Sequence, residues 1–210
     1  MRLIKAQTET ITLVLIAGIV ISLSSAAYLW GKPLMEKRAT ITDFSAAKSF
    51  MLNLDKKIKE VANSGSGRIS LKAPNGNIRV VPYDPSDPMN KSKNSVVLEM
   101  VVSQPMILNA SAPIDTWSLE EIGSYEKDSP RIIMLTGESF GTGYKLEMSM
   151  HYRELDTSER PFRGYRIALA QGATTSGRDV TVEFDRNVIE PGRADNNGDL
   201  LLSYVNVAAV

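Results

Sequence analysis

The chain has 210 residues, with 24 Lys and Arg against 24 Asp and Glu, a formal charge of zero that offers no electrostatic hold on nucleic acid. It has no cysteine and one histidine, which excludes disulfides, thiolate metal sites, cysteine nucleophiles and a histidine-rich metal centre. Hydrophobic residues make up 43% and charged residues 23%, the balance of a folded chain and too apolar for a disordered one.

The chain opens on a short cationic segment, Met1-Arg2-Leu3-Ile4-Lys5. From Ile11 to Trp30 no residue is charged. As a helix this stretch is about 30 Å long, the hydrocarbon thickness of a bilayer. Three readings compete. A secretory signal peptide would use Ile11–Leu23 as its apolar core and Ser24-Ser25-Ala26-Ala27 as the small residues before cleavage. A permanent anchor would keep the whole segment. A leader cut ahead of the apolar stretch would also keep that stretch. Gly18, Ser22 and Ala26 fall four apart on one helical face, and small residues so placed let helices approach closely in lipid or in a dry core. The same residues are also ordinary content of any single-span helix. Charge does not fix orientation: Arg2 and Lys5 precede the span and Lys32, Lys37 and Arg38 follow it, a count that slightly favours the wrong end for an outside head.

Gly31-Lys32-Pro33 comes next, and the proline predicts a bend or break. Beyond it Ile41, Phe44, Ala47, Met51, Leu54, Ile58 and Val61 recur at helical spacing, so one face is apolar from 41 to 61. Asp43, Lys48, Asp55, Lys56, Lys59 and Glu60 are expected on the opposite face. Asn63-Ser64-Gly65-Ser66-Gly67 should end the helix.

The segment Lys5-Ala6-Gln7-Thr8-Glu9-Thr10 sets a basic and a small residue ahead of Gln, with a carboxylate shortly after. Together with the apolar helix running into an amphipathic one, it resembles the processing site and stem of archaeal type IV pilins and archaellins, which carry a class III (prepilin-type) signal peptide. The resemblance covers residues 1 to about 62. It implies cleavage between Ala6 and Gln7 by a prepilin peptidase, a membrane-resident helix before assembly, and a filament core of bundled helices afterwards. It also implies helix-packing contacts at Glu9, Gly18, Ser22 and Ala26. Glu9 is the third residue after the cut, where the family more often has its acid fifth.

Residues 68 to 210 read as β structure. Alternating runs recur at Arg68–Lys72, Asn77–Val81, Val96–Ser103, Arg131–Thr136, Tyr144–Leu155, Tyr165–Ala170, Val180–Phe184 and Leu200–Val207. Turn signals separate them at Pro74-Asn75-Gly76, Pro82–Pro88, Gly137–Gly143, Gly172–Gly177 and Asn196-Asn197-Gly198. The pattern predicts a sandwich or Greek-key barrel and no parallel nucleotide-binding sheet. In Lys145–Arg153 the residues Leu146, Met148, Met150 and Tyr152 should face the core, while Lys145, Glu147, Ser149, His151 and Arg153 face water.

Few residues suggest chemistry. His151, on the wet face of its strand, reads as a surface histidine. Asp195, Asn197 and Asp199 resemble the start of a calcium loop, but the glycine and glutamate of an EF-hand are replaced by Leu200 and Asn206, so a hairpin turn is the better reading. Asp84 and Asp87 lie in a proline-rich loop. Gly137–Gly143 lacks the Lys-Ser/Thr of a phosphate loop and carries Glu138, so it reads as a hairpin. Asn90-Lys91-Ser92 and Asn109-Ala110-Ser111 are N-glycosylation sequons, and glycans there would place the head outside the cell.

The fold expected is therefore α+β: a long N-terminal membrane and stem helix, bent near Pro33, followed by an all-β sandwich-like head. The divisions are leader 1–6, membrane or filament-core helix 7–30, amphipathic stem and hinge 31–65, and head 66–210. The function expected is structural and non-enzymatic, without cofactor or nucleic acid. The chain would be a pilin-like subunit of an extracellular filament, homo-oligomeric through its N-terminal helices, using a prepilin peptidase and pilus assembly machinery, with its head displayed for adhesion. The main alternative is a membrane-anchored β head that does not polymerise, such as an adhesin, binding subunit or surface-motor accessory. A secreted enzyme with a true signal peptide is the third.

Overall fold

The computed structural model describes residues 2–87, 93–115, 119–120, 122–125, 127–156, 164–170, 179–192 and 198–209, with residues 2–10 and 209 as backbone only. The chain forms two compact units, residues 1–41 and 42–210. One helix, α1 (Arg2–Ser64), supplies the first and opens the second. It is continuous through Pro33, so the break expected there does not occur. Proline withholds one amide from the carbonyl four residues back and costs about 3 kcal/mol in a helix interior. Against more than sixty residues of otherwise helical chain, that loss does not end the rod. The end comes where expected, at Gly65, whose φ of 63° is the left-handed cap position that glycine occupies without strain.

In the second unit α1 is followed by two β-sheets. The strands are β1 (Arg68–Lys72), β2 (Asn77–Val81), β3 (Ser95–Val102), β4 (Ala110–Pro113), β5 (Ile122–Ser124), β6 (Arg131–Phe140), β7 (Gly143–Tyr152), β8 (Glu154–Asp156), β9 (Gly164–Ala170), β10 (Asp179–Glu190) and β11 (Leu200–Ala209). The six-stranded sheet runs β1-β10-β11-β9-β8-β5 and the five-stranded sheet β2-β3-β7-β6-β4. All pairings are antiparallel except β9 with β11 and β5 with β8.

One core joins the helix to both sheets. Ala47, Phe50, Met51, Leu54, Ile58, Val61 and Ala62 of α1 are buried with Leu98, Met148 and Met150 of the five-stranded sheet and Ile167, Val182 and Val205 of the six-stranded one. The period-two pattern of β7 holds on this side: Leu146, Met148, Met150 and Tyr152 are all buried. A smaller cluster of Tyr83, Ala168, Leu200 and Leu202 closes the other face of β9 and β11.

Five local readings are corrected by packing. Ile41 lies outside the buried stripe at 46% exposure, whereas Asp55, placed on the wet face by sequence, is 2% exposed. His151 and Arg153 are also buried, because the chain leading into β3 and the segment before β6 cover that end of β7: His151 Nδ1 lies 2.9 Å from the Lys93 carbonyl, and Arg153 Nε donates to the Ser129 carbonyl at 2.9 Å. The hairpin expected over Gly137–Gly143 shrinks to Gly141-Thr142, since β6 continues to Phe140 and pairs with β7 to its end. Gly137 is thus a strand glycine, where a Cβ would overlap the Ile107 carbonyl oxygen and the Asn109 amide bonds the Gly137 carbonyl at 2.8 Å.

Candidate functional site

Among the described residues, the longest exposed apolar run belongs to the first unit. Residues 11–30 of α1 are exposed throughout, up to 79% at Trp30, and among the described residues this is the helix long and apolar enough to cross a membrane. Twenty consecutive uncharged and mostly apolar residues exposed on a monomer exceed the few hundred Å² that a water-facing surface normally tolerates. Gly18 has open space around it, so no contact within the chain requires a glycine there, although glycine costs a helix roughly 1 kcal/mol relative to alanine. The Ser22 hydroxyl donates to the Gly18 carbonyl at 2.8 Å. That bond satisfies the hydroxyl inside the helix, so the Gly18–Ser22 face can enter lipid or a dry helix contact without stranding a donor. The backbone of Ala6, Gln7 and Glu9 is helical, and their side chains lie outside the described residues.

In the second unit Asp55 is a buried carboxylate, 2% exposed. Its carboxylate takes Arg131 Nε at 2.6 Å, Lys59 Nζ at 2.8 Å and the Tyr152 hydroxyl at 3.2 Å. Arg131 also holds Asp115 at 3.0 Å. Burial works against the charge of Arg131, but Asp55 and then Asp115 outweigh it and raise its pKa. Burial drives the Tyr152 phenol well above its ordinary value, and the Asp55 charge adds to the effect. The group ties α1 to β6 and β7. It has the partners of a structural ion pair, with both carboxylate oxygens engaged by donors of the protein. Sequence reasoning missed it, although the signal was there: Asp55 follows Met51 by four residues and precedes Ile58 by three, which sets it in the apolar stripe.

The outer face of the five-stranded sheet holds a cleft of about 280 Å³, lined among the described residues by Ser111, Leu119, Ile132, Met134, Thr136, Ser149 and His151. The Lys93 carbonyl can only accept, so His151 Nδ1 carries the hydrogen. Thr136 Oγ1 donates to Ser111 Oγ at 3.3 Å. Neither arrangement provides an activated nucleophile.

Of the other sequence candidates, Asn109 is exposed with a φ of 50°, and its sequon partner Ser111 is exposed as well. Asn90 lies outside the described residues, as do Asp195, Asn197 and the Gly172–Gly177 turn. Asp199 accepts a bond from the Gly192 amide at 3.4 Å across the β10–β11 connection, which is turn chemistry. Asp84 accepts from Ser86 and from Lys93, and these bonds hold its carboxyl well below the usual carboxylate range. Comparison with protein-family models, with curated proteins and with solved structures gives no match.

Proposed function

We propose that this chain is a non-enzymatic, pilin-like subunit, anchored by α1 and assembled into an extracellular filament by packing of residues 7–30 against the same segment of other copies. The observation that carries the reading is the division of labour along one unbroken helix. Residues 11–30 expose an apolar surface, while residues 47–62 supply the core of the sheet-bearing unit. A plain anchor needs the first property only. A subunit that must transmit its position in a filament to its head needs both. Withdrawing the apolar half from lipid with nothing to replace it would cost on the order of tens of kcal/mol at ~25 cal/mol per Å², so assembly exchanges lipid for helix contacts. Gly18 and Ser22 are where that exchange brings backbones closest.

The alternative, a monomeric anchored head, is favoured by one observation: residues 42–210 form a compact unit with its own core. Two measurements on the native protein separate the readings. The mature N-terminus should be Gln7, filaments should be visible by electron microscopy, and Gly18→Leu/Ser22→Leu should reduce them at least tenfold while membrane retention persists. A Met1 terminus without filaments selects the plain anchor. A terminus near Tyr28 selects a secreted protein and ends the pilin reading.

A further inference from the structure

The filament reading leaves both sequons unused, and Asn109-Ala110-Ser111 is the one whose residues are described. All three are exposed, where the chain enters β4. β4 is the last strand of the five-stranded sheet, so the tripeptide lies on an edge. Its backbone is fixed. The Asn109 amide donates to the Gly137 carbonyl at 2.8 Å, and Ala110 and Ser111 pair with Gly137 and Thr136.

The two side chains that the sequon needs are not tied up in the same way. Among the described residues the Asn109 carboxamide has no hydrogen-bond partner, so its nitrogen is open to a reagent from solvent. Ser111 Oγ accepts from Thr136 Oγ1 at 3.3 Å, which leaves its own hydrogen to donate. A φ of 50° accounts for residue 109 being one of Asn, Asp or Gly. It makes no demand on residue 111, where the sequon requires a hydroxyl.

We propose that Asn109 carries an N-linked glycan, added on the outer side of the membrane. The donor is a sugar held on a polyprenyl phosphate or diphosphate. Asn109 Nδ2 bonds to the anomeric carbon of that sugar, and the bond from this carbon to the phosphate oxygen breaks. The lipid phosphate leaves with the electron pair, and one amide proton goes to a base of the transferase. Nothing is oxidised or reduced. The Ser111 hydroxyl is the group the transferase reads two residues on. The glycan fixes the side of the membrane on which the head stands, which the charges around the span do not. This rests on the outside placement of the head in the reading above, and not on filament assembly.

Mass spectrometry of the full-length protein from its native membranes tests this. Tryptic cleavage after Lys93 and Lys127 gives a peptide in which Asn109 is the one sequon, with Asn90 left outside it. Its mass should exceed the bare value by a whole number of sugar residues, and fragmentation should place them on Asn109. Ser111→Ala and Asn109→Asp should each abolish the addition, whereas Ser111→Thr keeps a sequon and should retain it. A bare peptide overturns the proposal, and so does an addition that survives Ser111→Ala or Asn109→Asp. Protease treatment of intact cells tells this failure from that of the reading beneath it. A digested head with Asn109 bare ends the glycan alone; a protected head with Asn109 bare ends the outside placement as well.

Discussion

Asp55 holds a guanidinium, an ammonium and a phenol at one point of the buried helix face. The charge is retained there because its partners face it, and removing it would leave Arg131, whose side chain is only 11% exposed, with the more exposed Asp115 as its remaining carboxylate partner. Asp55→Asn should therefore cost about 3 kcal/mol, in the range for breaking a buried pair. Lys59→Ala should cost under about 1 kcal/mol, because that side chain is a third exposed. Urea unfolding of the full chain in detergent measures both; equal costs would mean that Arg131 draws nothing from Asp55. The helix stripe is legible in the sequence, since Ala47, Met51, Leu54, Ile58 and Val61 are all buried, but Ile41 at its start lies outside and Asp55 inside. Hydrophobicity alone assigns each residue by type, and a carboxylate with three partners looks the same in sequence as one in water. His151 and Arg153 were misread for the same reason, since what buries them is chain far away in sequence.

At the scale of elements, Asn94 hydrogen-bonds strands of both sheets through one side chain. Asn94 Nδ2 donates to the carbonyls of Tyr152 at 2.9 Å and Ile167 at 2.8 Å, and its Oδ1 accepts from the Leu169 amide at 2.8 Å. These bonds link the end of β7 to β9, in the other sheet. Asn94 does so at a φ of 55°, which asparagine tolerates better than most residues. Asn94→Gly keeps the backbone but loses the bonds, and should cost about 2–3 kcal/mol. Asn94→Ala loses the bonds and adds left-handed strain, so it should be worse by about 1 kcal/mol. A stability order with alanine equal to or above glycine would remove the strain from this account. Strands whose alternation ran between clear turns were legible to the residue, as in β1 and β2. The four-residue β4 and three-residue β5 were not, because strands that short have no period to read and exist only through β6 and β8. Gly137 misled in the opposite sense: a glycine needed for close backbone approach looks like a turn.

For the whole molecule, the helix–sheet junction sets how the fold meets alkali. Tyr152 touches α1 through Asp55, is paired within the five-stranded sheet, and receives the Asn94 bond at its carbonyl. Burial raises its phenol well above the ordinary value of 10, with Asp55 adding to the rise. Burial likewise lifts Tyr165 to about 12, a Ser203 hydrogen bond opposing part of the effect. The unfolded chain releases these protons near pH 10 and the folded chain holds them, so unfolding is favoured progressively above that point. The stability they contribute is complete below about pH 10 and is lost as pH rises through the folded values. The urea midpoint of the full chain should therefore be flat from pH 8 to pH 10 and fall beyond it. Tyr152→Phe should lower the midpoint at pH 8, because Asp55 loses a donor, and should flatten the alkaline fall while leaving the part due to Tyr165. A Tyr152→Phe chain that falls as steeply as the parent above pH 10 would assign the alkaline loss to other groups, the Lys93–Asp84 pair among them, whose lysine is also held above its ordinary value.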